Sequence, residues 1–215
     1  MAYDLQEQEQ LEELKAWWKE YGNVVILGVT LAALVVAGFQ GWRYYRNSQS
    51  LAAVALYEQL EEAERTGDRR KVRDIAGEII ARYGSTPYGA FAALSAARVS
   101  FEGGDLAEAK SQLTWVMEHA RRNEIRDIAR LRLAGVLLDE KNYGEALKLV
   151  ETKPEDSMAG LYADLKGDIL VAQGKSADAR NAYQLALDRS EAGSPYRTTL
   201  QLKLDSLGEA TSAVR

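Results

Sequence analysis

From Val24 to Phe39 every side chain is apolar or glycine except Thr30, and no charge occurs between Gly22 and Trp42. Tyr21 to Trp42 is 21 steps; at 1.5 Å per helical residue that is about 31 Å, matching a hydrocarbon layer of about 30 Å. Trp17, Trp18 and Tyr21 stand on one side of the run and Trp42, Tyr44 and Tyr45 on the other, accompanied by Lys19, Arg43 and Arg46. Amphipathic rings settle at headgroup depth, so these six aromatics mark the two interfaces expected of one membrane span. A buried core helix has no use for such flanks. A cleaved leader opens with a short basic segment and ends in small residues, whereas this run follows an acidic stretch and precedes the bulky WRYYR. The anchor is therefore expected to be retained.

Ala33, Ala37 and Gly41 recur every four residues in the span and leave one face nearly flat, as helix packing in lipid requires. Ahead of it, Leu11, Leu14, Trp18 and Tyr21 fall at helical spacing. The other face carries Glu7, Glu9, Glu12 and Glu13, which anionic headgroups would repel and a basic protein surface would accept. The chain thus reads as an acidic amphipathic segment over 1–21, a span over 22–42, a juxtamembrane linker over 43–50 and a folded domain over 51–215.

Of the 27 Lys/Arg and 32 Asp/Glu, all but four and six follow residue 50, so the domain is mildly acidic. Phosphate binding needs a clustered basic surface, so nucleic acid is not an expected partner. There is no cysteine, which removes disulfides and thiol chemistry, and the one histidine, His119, sits at the polar end of a helix in WVMEHARR. Triads and histidine-rich metal sites are thereby excluded.

The domain repeats itself. In LKGDILVAQGKSADARNAYQLALDRS, residues Gly167, Gly174, Ala179, Tyr183 and Ala186 follow offsets of 7, 5, 4 and 3. That is the pattern of a tetratricopeptide helix pair, in which two antiparallel helices approach so closely that only Gly or Ala fits between them. Ala97, Gly104, Ala109, Leu113 and Val116 repeat it, as do Ala134, Tyr143, Glu145 and Ala146, and a degenerate first copy turns at Thr66 to Asp68. The equivalent positions Val72, Ala109, Ala146 and Ala179 are 37, 37 and 33 residues apart, close to the period of about 34. Four helix pairs are expected. The segment SPYRTTLQLKLDSLGE, with Leu200, Leu204 and Leu207 on one face and no partner helix after it, is expected to cap the array. Pro87, Pro154 and Pro195 all fall between predicted helices, and no strand-like alternation occurs. The fold class is all-α: one transmembrane helix followed by a short solenoid of helical hairpins.

Catalysis finds no support. Asp164 and Asp168 stand one helical turn apart without a neighbouring base or metal ligand, and Gly103 to Asp105 is a helix-to-helix turn rather than a nucleotide loop. No cofactor is implied. Such arrays bind a partner segment along their first helices. Taking Ala97, Ala134 and Gly167 as reference points, that face holds Phe91, Leu94, Arg98, Phe101, Leu131, Leu138, Asp164 and Asp168. For the apolar members both core packing and groove lining fit; Arg98, Asp164 and Asp168 are expected to be exposed.

The acidic start with LEELKAWWKEYGN, the span ending GWRYYRNSQ, YGAFAALSAAR, IARLRLAGVLLDEKNYGEALKLV and ADLKGDILVAQGKSADARNAYQLAL together resemble the YfgM-type ancillary subunits of the bacterial SecYEG translocon. The resemblance implies a non-enzymatic inner-membrane protein with a cytoplasmic N-terminus and a periplasmic repeat domain. It also implies the translocon, the membrane-anchored chaperone PpiD and emerging secretory chains as partners. The flanking charges do not fix the orientation, since Lys15 and Lys19 are matched by Arg43 and Arg46. A structural tether for another envelope-assembly complex is the alternative function.

Overall fold

The computed structural model describes the backbone of residues 2–212 and the side chains of residues 11–208. Glu7 and Glu9, part of the acidic face expected on the N-terminal segment, lie outside the described side chains. By its internal contacts the chain divides into two units, residues 1–49 and 50–215.

Helix α1 spans Ala2–Arg65 and contributes to both units. Residues 43–50, read from the sequence as a linker, contain neither proline nor glycine and are helical. In the first unit the apolar run is exposed, Leu34 and Val35 to 64% and 72%. Its one hydroxyl is internally satisfied: Thr30 Oγ1 donates to the Ile26 carbonyl at 2.7 Å, the back-bond that an apolar surrounding favours.

The second unit is an array of helix pairs. The end of α1 pairs with α2 (Arg69–Tyr83), α3 (Pro87–Glu102) with α4 (Leu106–His119), α5 (Asn123–Asp139) with α6 (Tyr143–Val150), and α7 (Ala159–Ala172) with α8 (Ser176–Asp188). A single helix, α9 (Tyr196–Ser212), closes the array. The first helices also meet across repeats, α3 against α5 and α5 against α7.

Each pair turns by one device. Gly67, Gly104, Lys141 and Gly174 have φ of 73°, 83°, 62° and 75°. The following amide then reaches back five residues to a carbonyl: Asp68 to Ala63, Asp105 to Ser100, Asn142 to Leu137, Lys175 to Leu170. Glycine enters this left-handed region without a Cβ clash, and Lys141 is the one position that bears the strain. At three of the turns the next side chain caps the second helix, with Asp68, Asp105 and Asn142 accepting from the amides of Lys71, Glu108 and Glu145.

The small-residue register explains the close packing. Val72, Ala109, Ala146 and Ala179 are each no more than 1% exposed. At Gly167 an added Cβ would stand 2.3 Å from the Tyr183 ring, so the α7–α8 crossing tolerates no side chain there.

Candidate functional site

Between α3 and α5 the array leaves a cavity of about 430 Å³. Leu113 and Val136 lie buried in it, while Phe101, 40% exposed, and Leu138 complete its apolar wall. Two cations, Arg98 and Arg132, and one exposed carboxylate, Asp139, share this cavity, and Asp139 forms no ion pair with either arginine among the described residues. Arg98, on α3, is held by Glu64 at 2.9 Å and more loosely by Glu102 at 3.8 Å. Arg132, on α5, makes no ion pair and no hydrogen bond among the described residues. Burial, and then the charge of Arg98, lower its pKa from the ordinary arginine value. Three of the eight first-helix candidates, Arg98, Phe101 and Leu138, are thus brought together.

The other five go elsewhere. Leu94 is buried against α4 and α5, and Leu131 packs into the α5–α7 core. Phe91 is half-buried with its ring 6.3 Å from Tyr57, beside a separate cavity of about 200 Å³ that also touches His119 and Arg122. His119 itself is exposed, stacked on Trp115 at 4.6 Å, with Nδ1 2.9 Å from that residue's carbonyl.

Asp164 corrects the expectation of an exposed carboxylate. It is only 8% exposed, and Asp168 is half-buried. The partner that sequence neighbours did not supply comes from α9. Lys203 Nζ donates to Asp164 Oδ1 at 2.7 Å and to both oxygens of Asp168, at 2.7 and 2.9 Å. Tyr196 donates to Asp164 and Tyr183 to Asp168, the latter at 2.7 Å. Burial alone would lower the Lys203 pKa, but hydrogen bonds to the two carboxylates outweigh it and raise it. Burial, and then the aspartate each phenol bonds, raise Tyr183 and Tyr196 above the ordinary tyrosine value. These carboxylates fasten the cap to α7.

In the first unit, Trp17, Trp18, Tyr21, Trp42, Tyr44 and Tyr45 are all exposed, and Trp17 lies 5.9 Å from Tyr21. Ala33, Ala37 and Gly41 are exposed as well, and a Cβ at Gly41 would meet nothing within 4 Å.

A tetratricopeptide repeat-like domain family matches residues 15–209. The "Ancillary SecYEG translocon subunit" of Neisseria gonorrhoeae is 33% identical over 211 residues, covering 96% of this chain and all of that protein. The chain belongs to this family. Its Haemophilus influenzae and Escherichia coli relatives of the same name are 28% and 26% identical, covering 96% and 94% of the chain and 100% and 96% of their own lengths. Among solved structures, the MamA RS-1 ArsTM double mutant superposes with a TM-score of 0.53 at 16% identity, over 75% of this chain and 97% of that one, which bears on the fold alone.

In this ancillary-subunit family member, sequence reasoning missed Arg132 and Lys203, because their significance lies in what faces them from other helices. It also missed Asp127, 4% exposed, which accepts from Arg130 and Tyr162 and takes the Glu155 amide at 2.8 Å. The signal was present as Asp127 and Arg130 at i,i+3, but the loop amide that completes the site is 28 residues away. Burial above all raises Tyr162 to about 12.

Proposed function

We propose that the protein is a non-enzymatic, single-pass subunit of the bacterial inner membrane that accompanies the SecYEG translocon. Residues 1–21 lie in the cytoplasm, 22–42 cross the bilayer, 43–50 adjoin it and 51–215 form a periplasmic binding domain. That domain takes a PpiD-like membrane-anchored chaperone, emerging secretory chains, or both, along its first helices; Arg98, Phe101 and Leu138 are the residues assigned to that contact. Ala33, Ala37 and Gly41 supply the span's packing face toward the complex. The observation that carries this reading is the full-length likeness to proteins named as translocon subunits, anchor and array together. Arrays of helix pairs act by holding a segment rather than by chemistry.

Affinity purification of the tagged chain from solubilised inner membranes tests it. SecY and the chaperone should be recovered; absence of both, with the protein intact, rejects the reading. A cysteine at Ser176 should react with an impermeant thiol reagent in intact spheroplasts, and labelling only after lysis would reverse the orientation.

A further inference from the structure

The α3–α5 cavity and the α7–α9 cluster are built from the same positions of the repeat. Arg98 directly follows the reference alanine of α3, Ala97, as Asp168 follows the reference glycine of α7, Gly167. Arg132 precedes the buried pair Leu133 and Val136 by one and four residues, as Lys203 precedes the buried pair Leu204 and Leu207. Where the chain puts carboxylates against Lys203, the cluster is closed at 2.7 Å. Where it puts Arg98 against Arg132, like charges face each other, the cavity stays open, and among the described residues no carboxylate pairs with Arg132, Asp139 on the same cavity wall included. Glu64 already serves Arg98.

We propose that this cavity docks a partner polypeptide segment that brings an internal Asp or Glu to Arg132 and lays an adjacent apolar side chain on Phe101 and Leu138. The carboxylate then does from outside what Asp164 and Asp168 do from within for Lys203. The guanidinium, exposed in the open cavity, presents a planar fork of donors matched to a carboxylate, and the apolar side chain laid on Phe101 and Leu138 would shield that pair from water. This deepens the proposed function, on which it rests, by naming the chemistry of the segment the domain would hold.

The test uses the full chain in nanodiscs and fluorescein-labelled 12-residue peptides with both ends blocked, so that only side-chain carboxylates are offered. One peptide flanks a Leu-Phe pair with Glu; its controls carry Gln or Lys in place of Glu. The Glu peptide should bind about tenfold more tightly than the Lys peptide. That preference should shrink as salt is raised from roughly 50 to roughly 300 mM. Arg132→Gln should abolish the preference, and Arg132→Lys should keep most of it. Phe101→Ala should weaken all peptides alike, with thermal melting of each variant confirming the fold. Equal binding of the three peptides, or a Glu preference that survives Arg132→Gln, overturns the proposal. So does binding of anionic vesicles rather than peptide at Arg132, or self-association that Phe101→Ala abolishes. Recovery of SecY with Arg132→Gln is read in parallel, so that loss of the docking site and loss of the translocon reading are told apart.

Discussion

The middle of the array and its closing end use one geometry to opposite effect. At α7 and α9, a lysine lies between two aspartates, two tyrosines complete their hydrogen bonds, and Leu200, Leu204 and Leu207 are buried alongside. At α3 and α5, two arginines share a largely apolar cavity with Asp139 on its wall, and among the described residues only Arg98 is ion-paired. The difference teaches that at these two places the repeat brings charged side chains to the gap between first helices, whereas α5 and α7 meet through an apolar cluster. The side chains at two positions then decide whether that gap is closed from within or left to a partner.

The largest effect should come from removing the anchor of the closed end. Leu200 is fully buried against Ala163 and Ala186, so Leu200→Ala should cost about 2 to 5 kcal/mol, measured by urea unfolding. A change below about 0.5 kcal/mol would mean that α9 is not part of the cooperative unit.

A smaller effect sharpens the contrast itself. Lys203→Gln strands a buried aspartate and should cost about 1 to 3 kcal/mol, whereas Arg132→Gln should change stability by no more than about 0.5 kcal/mol. Equal losses in the two variants would dissolve the distinction between a structural and an open site.

Alkali should act on the closed end. Tyr183 and Tyr196 are raised chiefly by burial, and then by the aspartates they bond. A raised folded pKa adds stability that is whole below the unfolded tyrosine value of about 10 and is lost as pH rises through the folded value. Tyr162 behaves likewise over the interval from that value up to about 12. The urea midpoint should therefore hold to about pH 10 and fall above it. The double variant Tyr183→Phe with Tyr196→Phe should flatten that fall; an unchanged slope would place the sensitivity elsewhere.

The smallest effect lies at the turn after α5. Lys141 holds φ of 62° where the other three pairs use glycine. Lys141→Gly should stabilise the domain by roughly 0.5 to 1 kcal/mol, a gain in melting temperature, because relief of the left-handed strain exceeds the added chain entropy.

The repeat register was legible because it is local. Ala109, Ala146 and Ala179 are small since a neighbouring helix crosses there, and spacing along one chain reveals it. The turns were equally readable from Gly67, Gly104 and Gly174, and the cap from the leucine stripe of α9. The candidate face was legible only in part. Phe101 and Leu138 line a cavity, but Leu94 and Leu131, with the same helical phase, pack into the core. Which residues of a stripe remain open depends on the size of the side chains opposite, and those come from another repeat.

The sequence by itself determined the long apolar helix, the four helix pairs, their turns and the single closing helix, because each rests on hydrophobicity or periodicity within one stretch of chain. Only the tertiary structure decided that Asp164 is buried, that Lys203 answers it from 39 residues away, and that Arg132 is left without an ion pair among the described residues. A charge's partner is a property of the space around it, and in this array that space is assembled from helices whose order in sequence does not reveal which side chains will meet across the gap.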